Sequence, residues 1–529
     1  MSAMDNEKNA PPNDTVVDEK HASQYQDGRS SITAVDLLSS EHTDIVLDAK
    51  MRLVNNAIDQ IGFTNYQWKL FCLNGFGYAV DSLILLVQSV ISGQAALEFR
   101  PSYPNAMTMA AYVGMLIGAL FWGTLADAIG RKLAFNSSLL ICSIFAIIAG
   151  AAPSWPVLGL FIALSAIGGG GNLVLDTTVF LEYLPSNKQW MLTIMAAWWG
   201  IGQLITGLFA WAFLPKYSCA DEETCTRANN MGWRYVWFAS GALVFVMSIL
   251  RVTVIRLEET PKYLLSEGKD QQIVDTLQGI ARKYNRPCSL TIEQLTACGV
   301  TDVKRAHANA RWSPAEAWTH VRGLFATKRL GYSTGLLWLS WTLIGLAYPL
   351  FNVFLPTYLQ TRGAQFGVTS DYIRWRNYAI VNVCGILGPI PAGYMCATRL
   401  GRRGTMVIGA LISAVFFFAY TQIRNNDQSL GFSCAVNFSL NIYYGTLYGY
   451  TPEVLPSAHR GTGNGIAIAC NRVMGIISAV VATEADTSTS APIWLCASLY
   501  IVMAASRRHL PLRAIRPAQL VNEPPPSPL

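Results

Sequence analysis

Three charged residues stand inside long apolar stretches of this 529-residue chain: Asp81, Asp176 and Arg472. A charge at the middle of a membrane costs about 2.5–3.5 kcal/mol on insertion scales, so it should face a cavity or a partner. Two carboxylates and a guanidinium in such places could relay a proton and hold an anionic solute. They could equally form a structural ion pair that keeps helices in register. Asn172 precedes Asp176 by one helical turn, and Asn437 precedes Asn441 by the same step, so each pair shares a face. Amides so placed suit recognition of hydroxyls or amides, because each donates and accepts. Ordinary interhelical hydrogen bonding, worth about 0.6 kcal/mol each, predicts the same pattern. Tyr348 and Asn352 repeat the spacing and are weaker substrate candidates. Lys69, Arg234 and Arg251 lie at or near the ends of apolar stretches, where long basic side chains can reach the interface.

Helices of membrane length are needed to hold these groups, and the composition predicts them. Only 14% of the residues are charged and 52% are hydrophobic, before 42 glycines are counted. Soluble proteins carry about 25% charged residues. Of the 39 basic and 33 acidic residues, 42 fall in 1–69, 256–329 and 507–529, and the remaining 363 residues are 8% charged. That excludes an ordinary soluble fold, and the apolar content excludes a disordered chain. Windows of about 20 apolar residues fall at 68–92, 106–126, 133–152, 157–181, 190–214 and 233–255. A second set falls at 331–355, 377–397, 404–423, 430–452, 463–482 and 491–505, the last being the weakest. The predicted fold class is therefore an all-α polytopic membrane protein of 12 transmembrane helices, arranged as two six-helix bundles.

The expected organisation begins with a disordered acidic cytoplasmic tail over 1–50, which holds ten acids and four bases. An amphipathic juxtamembrane helix over 51–67 leads into the N-terminal bundle, 68–255. A cytoplasmic linker with short helices (256–330) joins it to the C-terminal bundle, 331–505, and a cytoplasmic tail covers 506–529. With both termini in the cytoplasm, 29 of the 39 basic residues lie inside, 8 outside and 2 within spans, as the positive-inside rule requires. No apolar signal-peptide region precedes the first span, which must then direct insertion. Cys219 and Cys225 share an outer loop and are a possible disulfide.

The chain repeats itself. Ile129-Gly130-Arg131-Lys132 recurs as Leu400-Gly401-Arg402-Arg403, and Glu182-Tyr183-Leu184-Pro185-Ser186 as Glu453-Val454-Leu455-Pro456-Ser457, both at an offset of 271. Two matches at one offset indicate duplicated bundles, an arrangement that fits a secondary transporter with its substrate site between the halves. The stretch from Gly123 through Asp127 and Gly130 to Lys132 resembles the signature loop between helices 2 and 3 of the major facilitator superfamily. Glu259-Thr260-Pro261-Lys262 resembles an element of its sugar-porter and organic-ion branches, as does Pro452-Glu453-Val454-Leu455-Pro456 continuing to Arg460. Ile61-Gly62-Phe63 with Gln67, and Gly170-Gly171-Asn172 with Asp176, are most similar to the synaptic-vesicle-glycoprotein-related group and its fungal relatives. The resemblance covers about residues 50–505. Two departures stand out: Thr398 replaces the Asp127 of the first copy, and Ala163 and Leu164 stand where sugar porters carry an arginine.

The resemblance implies alternating access, with Arg131, Lys132, Arg402 and Arg403 facing Glu182 and Glu453 at a cytoplasmic gate. Topology control is the competing role for those bases. Proton coupling through Asp81 or Asp176 is expected, with Arg472 as counter-charge or anion contact. Gly168-Gly169-Gly170-Gly171 lies inside an apolar stretch without a following Lys, so close helix packing explains it better than phosphate binding. In the linker, Ile273, Leu277 and Ile280 recur at helical spacing. No metal spacing, catalytic constellation or nucleotide-binding segment is visible, so no cofactor, metal, nucleic-acid partner or enzymatic activity is expected. The expected function is secondary active transport of a small polar organic solute, a sugar or polyol first and an organic ion second, by proton symport. A non-transporting receptor or vesicle protein on the same fold is the alternative. A monomer in the lipid bilayer is expected, in the plasma membrane before a vacuole or vesicle.

Overall fold

The first span starts at a cap. Thr64, in extended backbone, accepts a hydrogen bond from the Tyr66 amide at 3.2 Å, and its own amide donates to Gln67 Oε1 at 2.9 Å. This reciprocal capping opens α2 (Asn65–Phe99), which ends where Arg100 turns left-handed at φ 47°. The helix is 35 residues long, beyond the 68–92 read from hydropathy, because its caps rather than its apolar run set its ends. The structure is a computed structural model describing residues 45–253, 259–299, 318, 321–367, 370–455, 460–484 and 489–506. The two predicted tails fall almost entirely outside the described residues.

The described helices from Val46 onward belong to one compact unit. Before α2 comes α1 (Ile45–Ile61); after it follow α3 (Ala106–Ile129), α4 (Arg131–Gly150), α5 (Trp155–Gly170) and α6 (Asn172–Tyr183). Then come α7 (Met191–Met195), α8 (Ala197–Tyr217) and α9 (Gly232–Thr253). The linker carries α10 (Pro261–Ser266), α11 (Asp270–Lys283) and α12 (Ile292–Ala297). The second half has α13 (Lys328–Asn352), α14 (Leu355–Gln365), α15 (Asp371–Leu387) and α16 (Pro389–Ala397). It closes with α17 (Gly401–Tyr420), α18 (Asn426–Val454), α19 (Arg460–Glu484) and α20 (Ala491–Ser506).

Among the described residues, nine helical stretches are long and apolar enough to cross a membrane, and α3 and α20 are shorter apolar ones. With the 29-residue α18, they complete a twelve-span architecture. Among the described residues, three spans are broken: between α5 and α6 at Gly171, between α7 and α8 at Ala196, and between α15 and α16 at Gly388. Pro389 explains the last, since it has no amide to donate and its ring obstructs the preceding turn. Hydropathy windows cannot detect these interruptions, because the residues on both sides stay apolar.

The halves meet along two seams. At one, α8 packs on α15, and a Cβ at Gly200 would crowd Ile386 at 2.7 Å. At the other, α3 packs on α19, where a Cβ at Gly475 would overlap the Tyr112 ring. Small residues at both seams let the backbones approach. The face where α4 and α17 begin is called the motif face below, after its repeated sequences.

Candidate functional site

At the middle of the unit, Asp81 and Arg472 meet across the halves. Arg472 Nη2 donates to Asp81 Oδ1 at 2.8 Å, linking α19 to α2. Both residues are buried, at 3% and 4% exposure. Each forbids the other from being left alone, because one unpaired ion in such surroundings costs several kcal/mol. The guanidinium is not fully used: its Nε is buried without a partner among the described residues.

Around this pair lies a cavity built from both halves. From the first half, α2 supplies Asp81 and Ser82, α3 supplies Tyr112, and α8 supplies Trp199 and Gln203. From the second, α13 supplies Tyr348, α18 supplies Tyr444, and α19 supplies Asn471 and Arg472. Four of the lining side chains are aromatic: Tyr112, Trp199, Tyr348 and Tyr444. Trp199 stacks on Tyr444 with ring centres 4.9 Å apart and planes at 23°, and Tyr348 lies 4.8 Å from Tyr444. Behind them, Tyr448 meets Trp199 and Trp341 edge-on at 4.4 and 4.5 Å. Gln203 Nε2 donates to the Tyr348 hydroxyl, a second bridge between halves, while Gln203 Oε1 is buried without a partner among the described residues. The space between these side chains is about 20 Å³, room for one water, so a flat π-system with an anionic end at Arg472 could enter only after a ring moves aside.

Other sequence candidates lie elsewhere. Asp176 Oδ1 accepts from Arg251 Nη2 at 2.9 Å, with both side chains fully buried. Arg251 Nη1 also donates to Phe135 O at 3.0 Å, and its guanidinium lies 3.6 Å from the Phe135 ring centre. Asn172 Oδ1 accepts from Ser138 Oγ at 2.6 Å. These residues knit α4, α6 and α9 within one half and do not line the cavity. The expectation that Arg251 reaches the interface is thereby corrected: a buried carboxylate turns it inward. Arg234 is likewise buried, donating to both carboxylate oxygens of Glu98 at 2.8 and 2.7 Å.

The knot yields a direct prediction. Arg251→Met leaves Asp176 buried without its counter-charge and is expected to cost about 3–5 kcal/mol of stability. The paired replacement Asp176→Leu with Arg251→Met should recover most of the loss. Thermal unfolding in one detergent checks both; equal destabilisation by single and double variants would refute the pairing energetics.

Asn437 and Asn441 do not line the cavity either. Asn437 Nδ2 donates to Val381 O at 3.0 Å, and Asn441 Nδ2 to Asn437 O at 2.7 Å. They serve the α15–α18 contact, filling space opposite Gly385 and Gly388. Asn352 is buried at 1% exposure, one turn beyond Tyr348 but outside the cavity lining.

On the motif face, Gly130 takes φ +95°, and the Arg131 and Lys132 amides donate to Glu259 Oε1 at 3.0 and 3.2 Å. The carboxylate caps the start of α4, where the helix dipole is positive. Arg131 pairs with Glu182 and Arg402 with Glu453, each inside its own half. Arg402 also reaches across the halves: Nη1 donates to Thr193 Oγ1 at 2.7 Å and Nη2 to Gln189 O at 3.2 Å. Lys132 is exposed, whereas Arg403 is half-buried. The surroundings of Gly123 and the side chains of Asp127 and Arg460 lie outside what the structure describes. On the opposite face, Cys219 and Cys225 form a disulfide.

Sequence reasoning missed Trp199, Gln203, Tyr112, Tyr444 and Asn471. One signal was available: Tyr444 and Tyr448 stand a turn apart on the span opposite Trp341 and Tyr348.

Comparison with known proteins places these features in context. The Major Facilitator Superfamily profile matches residues 70–506. The MFS siderochrome iron transporter 1 of Ceriporiopsis subvermispora is 40% identical over 484 residues, 90% of this chain and 93% of that protein. The niacin transporter NiaP of Acinetobacter baylyi is 26% identical, over 81% of this chain and 89% of that one. Among solved structures, the xylose transporter XylE from E. coli, in a partially occluded inward open conformation, superposes with a TM-score of 0.61. That likeness covers 84% of this chain and 97% of XylE at 17% identity, and it concerns the fold.

Proposed function

This chain belongs to the Major Facilitator Superfamily of membrane transporters, and from that premise we propose that it carries a small aromatic or heteroaromatic carboxylate together with a proton, by alternating access. The observation that carries the reading is the Asp81–Arg472 pair inside an aromatic-walled cavity shared by both halves. A sugar or polyol is the second reading, which the Gln203 and Asn471 amides and the hydroxyls of Ser82, Tyr112, Tyr348 and Tyr444 would serve. The niacin relative is named for an aromatic acid of the proposed class.

Coupling follows from charge balance. With the cavity empty, Asp81 and Arg472 neutralise one another. An arriving carboxylate competes for the guanidinium, which forms forked bonds to such groups. Asp81 then loses its counter-charge in a dry site, where an unpaired carboxylate is neutralised by a proton. Empty and doubly loaded cavities are both neutral, so both states permit the halves to rock. A cavity holding the acid without the proton carries an uncompensated charge, and its closure is opposed by several kcal/mol. The two cargoes therefore travel together. The motif-face contacts of Arg402 would open and close once per cycle, with that face toward the cytoplasm.

The test is uptake into proteoliposomes under an inward proton gradient. The panel holds benzoate, niacin, a sugar, a polyol, an organic amine and a ferric siderophore, the last for the siderochrome-named relative. Saturable uptake of the acids with exclusion of sugar and polyol is expected. Sugar uptake without acid uptake overturns the substrate class. Silence across the panel favours a receptor on the same fold.

A further inference from the structure

A second site lies apart from the cavity, at the motif-face end of α2. There the turn between α1 and α2 faces the end of α11 across an open cleft lined by Phe63, Thr64, Asn65, Trp68, Tyr284 and Arg286. Each wall is held in place. Lys50 pairs with Asp270 at 2.5 Å, fastening α1 to the start of α11. At the other end, the Ser289 amide and hydroxyl donate to Gln60 Oε1 at 2.9 and 2.8 Å. Between these ties, Asn285 adopts φ +51°, and the Arg286 amide returns to Ala281 O at 2.8 Å. A non-glycine residue in that conformation folds the chain back, and here it delivers Arg286 to the cleft.

The chemistry of the cleft has two ends. Arg286 is exposed, and its guanidinium meets no partner among the described residues. Trp68 is 51% exposed, with Phe63 edge-on at 5.6 Å. Trp68 begins the apolar run of the first span, so its ring stands at the level where tryptophans settle between headgroups and acyl chains. Lys69 and Lys283 are exposed nearby and add positive charge. A free guanidinium beside an interfacial indole matches the phosphate and upper acyl region of one phospholipid.

We propose that this cleft binds the headgroup of an anionic phospholipid, with its phosphate on Arg286 and its glycerol and acyl portion along Trp68. A lipid seated there would bridge the linker and the first span, and so bind α11 to the membrane surface. The basic residues concentrate on this face of the chain, which suits the anionic leaflet. The proposal is independent of the transport reading, because no cavity residue takes part.

The full-length protein in detergent is titrated with phosphatidylserine or phosphatidylcholine, and retained lipid is counted by native mass spectrometry. Wild type is expected to hold one phosphatidylserine about fivefold more tightly than phosphatidylcholine. Arg286→Ala and Trp68→Ala should each remove that preference. Arg424→Ala, an exposed arginine on the opposite face, should leave it intact. Equal preference in wild type and Arg286→Ala refutes the site. Displacement of the lipid by inorganic phosphate or glycerophosphoserine at similar concentration refutes the lipid assignment in favour of a soluble phosphate ester. Circular dichroism melting of each variant separates loss of the site from loss of folding.

Discussion

Proteoliposomes containing Asp81→Asn are expected to exchange the acid without taking it up net, because the empty variant cavity holds Arg472 without its counter-charge. Asparagine keeps the shape and one oxygen for Arg472, but it cannot carry a proton. A pH difference of about one unit is worth about 1.4 kcal/mol per proton, which supports about tenfold accumulation in a one-to-one symport. Wild type should approach that ratio, and the variant should show no net uptake above protein-free vesicles. Exchange of labelled for unlabelled acid across a loaded vesicle should persist, because exchange needs no net proton movement. That persistence distinguishes an exchange-only carrier from an unfolded one. Accumulation at the wild-type ratio would remove Asp81 from the coupling role.

Arg472→Gln should strike binding itself. The variant has no guanidinium for the carboxylate, and hydrogen bonds to charged groups are worth about 1.5–3 kcal/mol each. Half-saturation is therefore expected to rise about 10- to 150-fold. Arg472→Lys should fall between, since lysine retains the charge and lacks the planar fork. Competition binding with a fluorescent aromatic acid measures all three proteins. If Arg472→Gln binds the acid as wild type does, the anion contact lies elsewhere in the cavity.

The two variants differ in what they leave behind. Asp81→Asn leaves a buried cation, while Arg472→Gln leaves a buried carboxylate that a proton can neutralise. Arg472→Gln is accordingly the milder change for folding, although it is the harsher one for binding.

Asp81 and Arg472 were legible in the sequence because a charge in an apolar stretch has almost no background to hide in. Which carboxylate Arg472 meets was not, since Asp81 and Asp176 were both open as its partner and 391 positions separate the observed pair. The twelve spans were readable from hydropathy, and the repeats showed how the chain divides. Arg251 misled for a physical reason: four residues from a span end, a long basic side chain can turn outward to water or inward to a carboxylate. The nearby Asp176 decides between them, and only packing brings the two together. Asn437 and Asn441 misled differently, because amides one turn apart serve recognition and helix packing equally well. The aromatic walls escaped notice because tyrosine and tryptophan are common in spans, and their chemistry depends on which face they present.

The claim at the centre is that the acid and the proton cross together because the cavity must stay neutral. Lightly buffered proteoliposomes, with a pH electrode outside and labelled acid added, test it most directly. External alkalinisation of one proton per acid taken up is expected, beyond that of protein-free vesicles and absent with Asp81→Asn. Carrier-mediated uptake with no accompanying proton movement would contradict it.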